Sequence, residues 1–143
     1  MSQPPKILIT GASGFVGSFL VEEALSRGLE VHAGIRRTSS RQYLQDERLH
    51  FALLDFEDEA GLQALCRREA FDLVIHNAGL VTAPSREAYF RVNTEYTRRL
   101  WAACLTAPTP PRKFLFISSL AAWGPASDDP ADRISLTTPP NPI

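Results

Sequence analysis

Three glycines spaced three residues apart, in Thr10-Gly11-Ala12-Ser13-Gly14-Phe15-Val16-Gly17, stand directly between a short apolar strand and a helix. That context restricts the turn severely. Gly11 permits the chain to reverse tightly, Gly14 lets the backbone approach a pyrophosphate, and Gly17 allows the helix to pack close to the strand. Ser13 lies inside the loop, and the N–H groups at the helix start, around Phe15 and Val16, present partial positive charge to phosphates. The same residues without a ligand read as a plain strand-to-helix turn. Their placement between strand and helix favours a nucleotide cofactor.

The rest of the chain supplies the frame such a turn needs. Short, nearly continuous apolar runs at Lys6 to Thr10, Glu30 to Ile35, Leu49 to Leu54, Phe71 to His76 and Arg112 to Ser118 read as strands of a parallel sheet covered on both faces. A first helix is expected from Phe15 to a Gly28 C-cap, with Phe15, Val16, Phe19, Leu20 and Ala24 inward and Ser18, Glu22, Glu23 and Arg27 outward. A second runs from Asp58 to Glu69 around Leu62, Leu65 and Cys66, opened by acids at the end where the dipole favours them. A third, longer one runs from about Arg86 to Ala107, with Tyr89, Val92, Tyr96 and Leu100 on one stripe. Strand alternating with helix predicts an α/β, Rossmann-type doubly wound parallel sheet with about five strands. With 143 residues there is room for one domain at most, read as a dinucleotide-binding domain spanning residues 1–143. From Leu120 onward, Pro125, Pro130, Pro139, Pro140 and Pro142 exclude regular structure over most of the stretch.

Composition removes several classes of function. Fifteen Lys and Arg balance 16 Asp and Glu, and Arg36-Arg37, Arg67-Arg68 and Arg98-Arg99 are isolated pairs, so nucleic acid is not the expected partner. No apolar run approaches the roughly 18 residues of a membrane span. The N-terminus lacks the pattern of a signal peptide, so the expected location is the cytoplasm. Cys66 and Cys104 have no metal-ligand or redox spacing and read as packed thiols; no metal is expected.

The form GASGFVG resembles the NAD-dependent epimerase/dehydratase family, the extended branch of the short-chain dehydrogenase/reductase superfamily. Four further segments agree in order: Leu54-Asp55-Phe56, His76-Asn77-Ala78-Gly79, Val92-Asn93-Thr94, and Ser118-Ser119-Leu120-Ala121-Ala122-Trp123-Gly124. The resemblance implies that Asp55 and the backbone of Phe56 contact adenine, and that Asn77, Ala78 and Gly79 line the pyrophosphate and ribose. Read without it, Asp55 is equally a loop residue or helix cap, and Asn77 a turn former. The resemblance gives Asn93 the task of tying its helix to the loop after the fourth strand. His76, with no acidic neighbour, reads as a satisfied core histidine before a catalytic one.

In the resembled family a Ser or Thr past the fifth strand polarises the substrate oxygen, and a Tyr and Lys of a YxxxK motif move the proton. Ser119 matches the first position, with Ser118 on the cofactor side. Paired serines at a strand end are otherwise turn formers. The tyrosines, Tyr43, Tyr89 and Tyr96, are followed four residues later by Glu47, Asn93 and Leu100, none of them Lys. The expectation is therefore the N-terminal part of a longer NAD(P)-dependent enzyme, a homodimer at full length, acting on a nucleotide sugar or other small carbonyl or alcohol. Alone, the chain is expected to lack turnover, and its fifth strand to form an open edge with the apolar stretch Phe114 to Ile117. A non-catalytic dinucleotide sensor is the alternative.

Cofactor choice turns on the end of the second strand. An acid about 20 residues past the glycines holds the ribose 2′-hydroxyl in NAD-type sites. Here Arg36 stands 19 residues past Gly17 and Arg37 follows it. They are either solvated loop residues or partners of a 2′-phosphate, which favours NADP over NAD.

Overall fold

The computed structural model describes residues 3–124 and 133–141. Pro125, Pro130 and Pro142 lie outside them, while Pro139 and Pro140 fall in irregular chain. Strands β1 (Lys6–Thr10), β2 (Glu30–Ile35), β3 (His50–Leu53), β4 (Leu73–His76) and β5 (Lys113–Phe116) form one sheet in the order β3-β2-β1-β4-β5. Every pairing is parallel, with Thr10 opposite Gly34 on one side and His76 on the other. The order reverses between β1 and β4. A crevice opens at such a point beyond the carboxyl ends of the strands.

Helix α1 (Phe15–Ser26) covers one face, over Ile7, Ile9, Val31, Ala33 and Ile35. It ends in a Schellman closure, with Gly28 N–H donating to Leu25 O at 3.0 Å and Leu29 N–H to Ala24 O at 3.1 Å. The other face packs Leu8, Ala52 and Val74 beneath α2 (Glu59–Glu69) and α4 (Tyr96–Leu105). The sheet is thus doubly wound, as expected. Asp58 caps α2 through Gly61 N–H at 2.9 Å, with Glu59 in its first turn and Arg67 and Arg68 in its last. Cys66 and Cys104 meet in this layer, buried, with sulfurs 3.8 Å apart.

Two expectations need correction. The inward face of α1 is Gly17, Ser18, Val21, Ala24 and Leu25, whereas Phe15 is 80% and Phe19 56% exposed. The glycine turn draws the helix so close that only small residues fit beneath its first turn, which hydrophobicity alone does not reveal. The long helix is not uniformly α-helical: α3 (Arg86–Phe90) passes through a π-helical turn at Arg91–Glu95 before α4 begins. Residues 36–49, for which no helix was expected, join β2 to β3 without one, anchored by buried Leu44 and Leu49. Strand β5 is an edge, and its Leu115 and Phe116 are half exposed.

Candidate nucleotide-binding crevice

The two loops at the switch point are built onto each other. Gly11 has φ +64°, a left-handed conformation that disfavours a side chain, and a Cβ there would stand 2.9 Å from Ala78 N. Asn77 Nδ2–H donates to Gly11 O at 3.4 Å. Thr10 Oγ1 accepts from both Asn77 N–H and Ala78 N–H, each at 3.1 Å, and so fixes the start of the second loop from the end of β1.

His76 completes this junction from below. With two N–H groups already donating to it, the Thr10 hydroxyl gives its own hydrogen to His76 Nδ1 at 2.7 Å. His76 Nε2–H donates to Thr97 Oγ1 at 3.0 Å, and the Thr97 hydroxyl donates to Asn93 O at 2.9 Å. Asn93 in turn accepts from Leu80 N–H at 2.7 Å and donates to Leu80 O at 3.0 Å, the tie between helix and loop that was expected. The imidazole is a satisfied core histidine. Thr10 and Thr97 are the residues that sequence reading missed; a threonine at the end of a buried strand, facing a buried histidine, was the available signal.

Burial pushes the His76 pKa down from its ordinary 6.5 to about 4. In the unfolded chain the ring takes up a proton near pH 6.5, while the folded form stays neutral down to about pH 4. Its contribution to stability is therefore complete above pH 6.5 and falls as pH drops toward 4. Between pH 6.5 and 5 the wild type should lose about 2 kcal/mol more than His76→Asn in denaturant titrations. Equal losses in the two proteins would contradict this assignment.

Above the junction lies a crevice of about 740 Å³, within the range of small-molecule sites. It brings together Gly11, Ser13 and Gly14 from the first turn, Arg36 and Arg37 from the end of β2, Asp55 and Phe56 past β3, and Asn77, Ala78 and Gly79 past β4. Thr38, Ser39, Leu80, Val92 and Tyr96 also line it and were not foreseen. Gly14 is exposed, and a Cβ on it would meet only Gly11 O, at 3.3 Å, so the backbone there is open to a ligand. No side chain caps the start of α1. The first-turn amides of Phe15 and Val16 are left for another acceptor.

Five expected site residues are not among the crevice-lining residues. Phe15 and Val16 are exposed beside it, and Gly17 is buried under the turn. Ser118 and Ser119 are exposed past β5, and Ser119 Oγ accepts Ala121 N–H at 3.2 Å, capping a 3₁₀ turn at Leu120–Trp123. Asp55 Oδ1 accepts Glu57 N–H at 2.9 Å, so it is a loop residue that also faces the crevice; the helix cap is Asp58. Among the described residues no three His, Cys, Asp or Glu side chains are placed to hold a metal, and no helix is long and apolar enough to cross a membrane.

A parallel sheet reversing at β1/β4, with a glycine turn leading into an uncapped helix at that point, is a Rossmann-type α/β fold. The chain belongs to the NAD dependent epimerase/dehydratase family, whose model matches residues 7–143. It is 31% identical to the ceramide reductase of Caulobacter vibrioides over 120 residues, covering 84% of this chain and 36% of that protein. It is 29% identical to the UDP-glucose 4-epimerase of Caenorhabditis elegans over 150 residues, covering 92% of this chain and 42% of the relative. The crystal structure of the Thermus thermophilus UDP-glucose 4-epimerase with NAD superposes with a TM-score of 0.81 at 28% identity, covering 96% of this chain and 44% of that one. The chain therefore spans about two fifths of the length of these relatives.

Proposed function

We propose that this chain is the cofactor-binding part of a cytoplasmic NADP(H)-dependent epimerase, dehydratase or reductase, acting on a nucleotide sugar or other small carbonyl or alcohol. The observation that carries the reading is the convergence of the glycine turn, Arg36, Asp55 and Asn77 on one crevice. The open backbone at Gly14 and the free amides of α1 receive the pyrophosphate, Asp55 and Phe56 the adenine, and Asn77 to Gly79 the ribose and linking phosphate. When bound, the nicotinamide takes a hydride from a carbinol carbon or returns one to a carbonyl carbon. Ser119 accepts Ala121 N–H, which leaves its hydroxyl hydrogen to donate to the substrate oxygen. A proton-transferring Tyr with its Lys, and a second copy in a homodimer, belong to the same proposal for the whole enzyme.

The Thermus complex supports the nicotinamide dinucleotide class, and the choice of NADP rests on residues 36–40. None of Arg36, Arg37, Thr38, Ser39 and Ser40 is an acid. Ser39 N–H donates to Arg36 O at 3.0 Å and Arg36 N–H to Ser39 Oγ at 3.1 Å, a closed turn that presents the arginines at the crevice. A guanidinium there pairs with a 2′-phosphate. Arg36→Ala is expected to weaken NADP(H) binding by roughly 10- to 100-fold, the worth of a hydrogen-bonded charge pair, with little change for NAD(H). Calorimetry showing equal or tighter NAD(H) binding by the wild type, or an unaltered NADP(H) affinity in the variant, would overturn the preference.

A non-catalytic dinucleotide sensor is the second reading. It draws on the solvent-exposed Ser119 standing apart from the crevice lining. Carbonyl-dependent NADPH oxidation by the full-length protein separates the two.

A further inference from the structure

The loop that carries Asp55 is held from α4 by two residues with no assigned role in the proposed cofactor contacts, Tyr96, which also lines the crevice, and Arg99, which does not. Glu57 is gripped at both carboxylate oxygens: Tyr96 O–H donates to Oε1 at 2.6 Å and Arg99 Nη1–H to Oε2 at 2.6 Å. Arg99 Nη1 also donates to Phe56 O at 2.9 Å, and its Nε lies 3.3 Å from Glu59 Oε1. The Phe56 ring lies flat on Tyr96, with centroids 5.2 Å apart and planes 9° from parallel. Tyr96 and Arg99 are one turn apart on α4, so a single helix face holds Phe56 and Glu57 of the loop and reaches Glu59 at the start of α2.

An isolated exposed ion pair contributes little, yet this set is a network with a stacked ring, and its target is specific. Helix α2 already has its own cap in Asp58, and β3 is already paired with β2. What the grip adds is the placement of Asp55 and Phe56. Asp55 Oδ1 is bound to Glu57 N–H, the residue being gripped, and Asp55 itself lines the crevice.

We infer that Tyr96 and Arg99 are positioning residues that set adenine discrimination by holding the Asp55-Phe56-Glu57 loop through Glu57. The inference rests on the reading of Asp55 and the Phe56 backbone as the adenine contacts. An adenine edge offers an amino donor to a carboxylate and a ring nitrogen acceptor to a backbone N–H. A hypoxanthine edge replaces these with a carbonyl oxygen and an N–H, reversing both. Discrimination then depends on where the carboxylate and the amide stand, and a loosened loop readjusts to either base.

The test is the ratio of dissociation constants for the hypoxanthine and adenine forms of the same nicotinamide dinucleotide, measured by calorimetry. The wild type is expected to favour adenine by roughly 10- to 100-fold, since mispaired polar groups in a site are strongly rejected. Tyr96→Phe keeps the stacked ring and removes only its hydrogen bond, and Arg99→Lys keeps the charge and one donor. Each should lower the ratio about threefold or more, with the thermal midpoint within a few degrees of wild type. A ratio unchanged in both variants, whether the affinities fall together or not, would reduce the two residues to scaffolding and overturn the inference. A wild type that binds both bases equally would remove Asp55 as the adenine contact, and one that binds neither would remove the cofactor site; either result overturns it too.

Discussion

Gly14→Val should abolish dinucleotide binding while the fold stands. Gly14 has φ −82° and ψ 171°, a conformation open to any residue, and an added Cβ meets only Gly11 O at 3.3 Å. The protein itself gives by a few tenths of an ångström. Ligand does not have that option, because the branched side chain occupies the space over an exposed backbone that a pyrophosphate must approach. An affinity loss of about 100-fold or more is expected, together with unchanged helical circular dichroism. Dinucleotide bound as tightly as by the wild type would place the nucleotide away from the turn.

Gly17 answers in the opposite way. A Cβ there would collide with Gly11 O and stand 2.9 Å from Ala12 Cα, both backbone atoms of the turn itself. No rotamer relieves contacts with backbone, so Gly17→Ala forces α1 away from β1 and strains the turn. The expected cost is about 3 kcal/mol or more, at the upper end for overpacking, read as a fall in thermal midpoint of roughly 10 °C. A midpoint within a degree or two of wild type would show that the close approach of helix to turn is not needed. Together the two glycines separate ligand access from folding, although they lie on the same loop.

The sheet was legible because its evidence is local. Five apolar runs bounded by turn residues gave β1 and β2 to the residue, and the other three strands within two residues at each end. The glycine turn was legible for the same reason. Faces decided by close backbone approach were not: α1 hides Gly17 and Ser18 and exposes Phe15 and Phe19, the reverse of a hydrophobicity ranking. Val92 and Tyr96, four residues apart, both reach the crevice as neighbours on one stripe do, but the π-helical turn at Arg91–Glu95 left no mark in the pattern of apolar residues. The part of the crevice lining that comes from the glycine turn and the ends of β2, β3 and β4 was recognised, because strand ends are legible. Thr10, Thr97, Tyr96 and Arg99 were not, since their roles arise from partners 21 to 68 residues away in the chain, for example Thr97 with His76 and Thr10 with Ala78.

The central claim is that a dinucleotide lies across the switch point between β1 and β4. Backbone amide chemical shifts, followed by NMR while NADP⁺ is added to this chain, test it residue by residue. The account predicts saturable shifts gathered at Gly11 to Gly17, Gly34 to Ser39, Asp55 to Glu57 and Asn77 to Leu80, with α2 and the β3 edge largely still. Shifts that do not saturate, or that gather around Tyr43 to Leu49 on the outer side of α1, would contradict it.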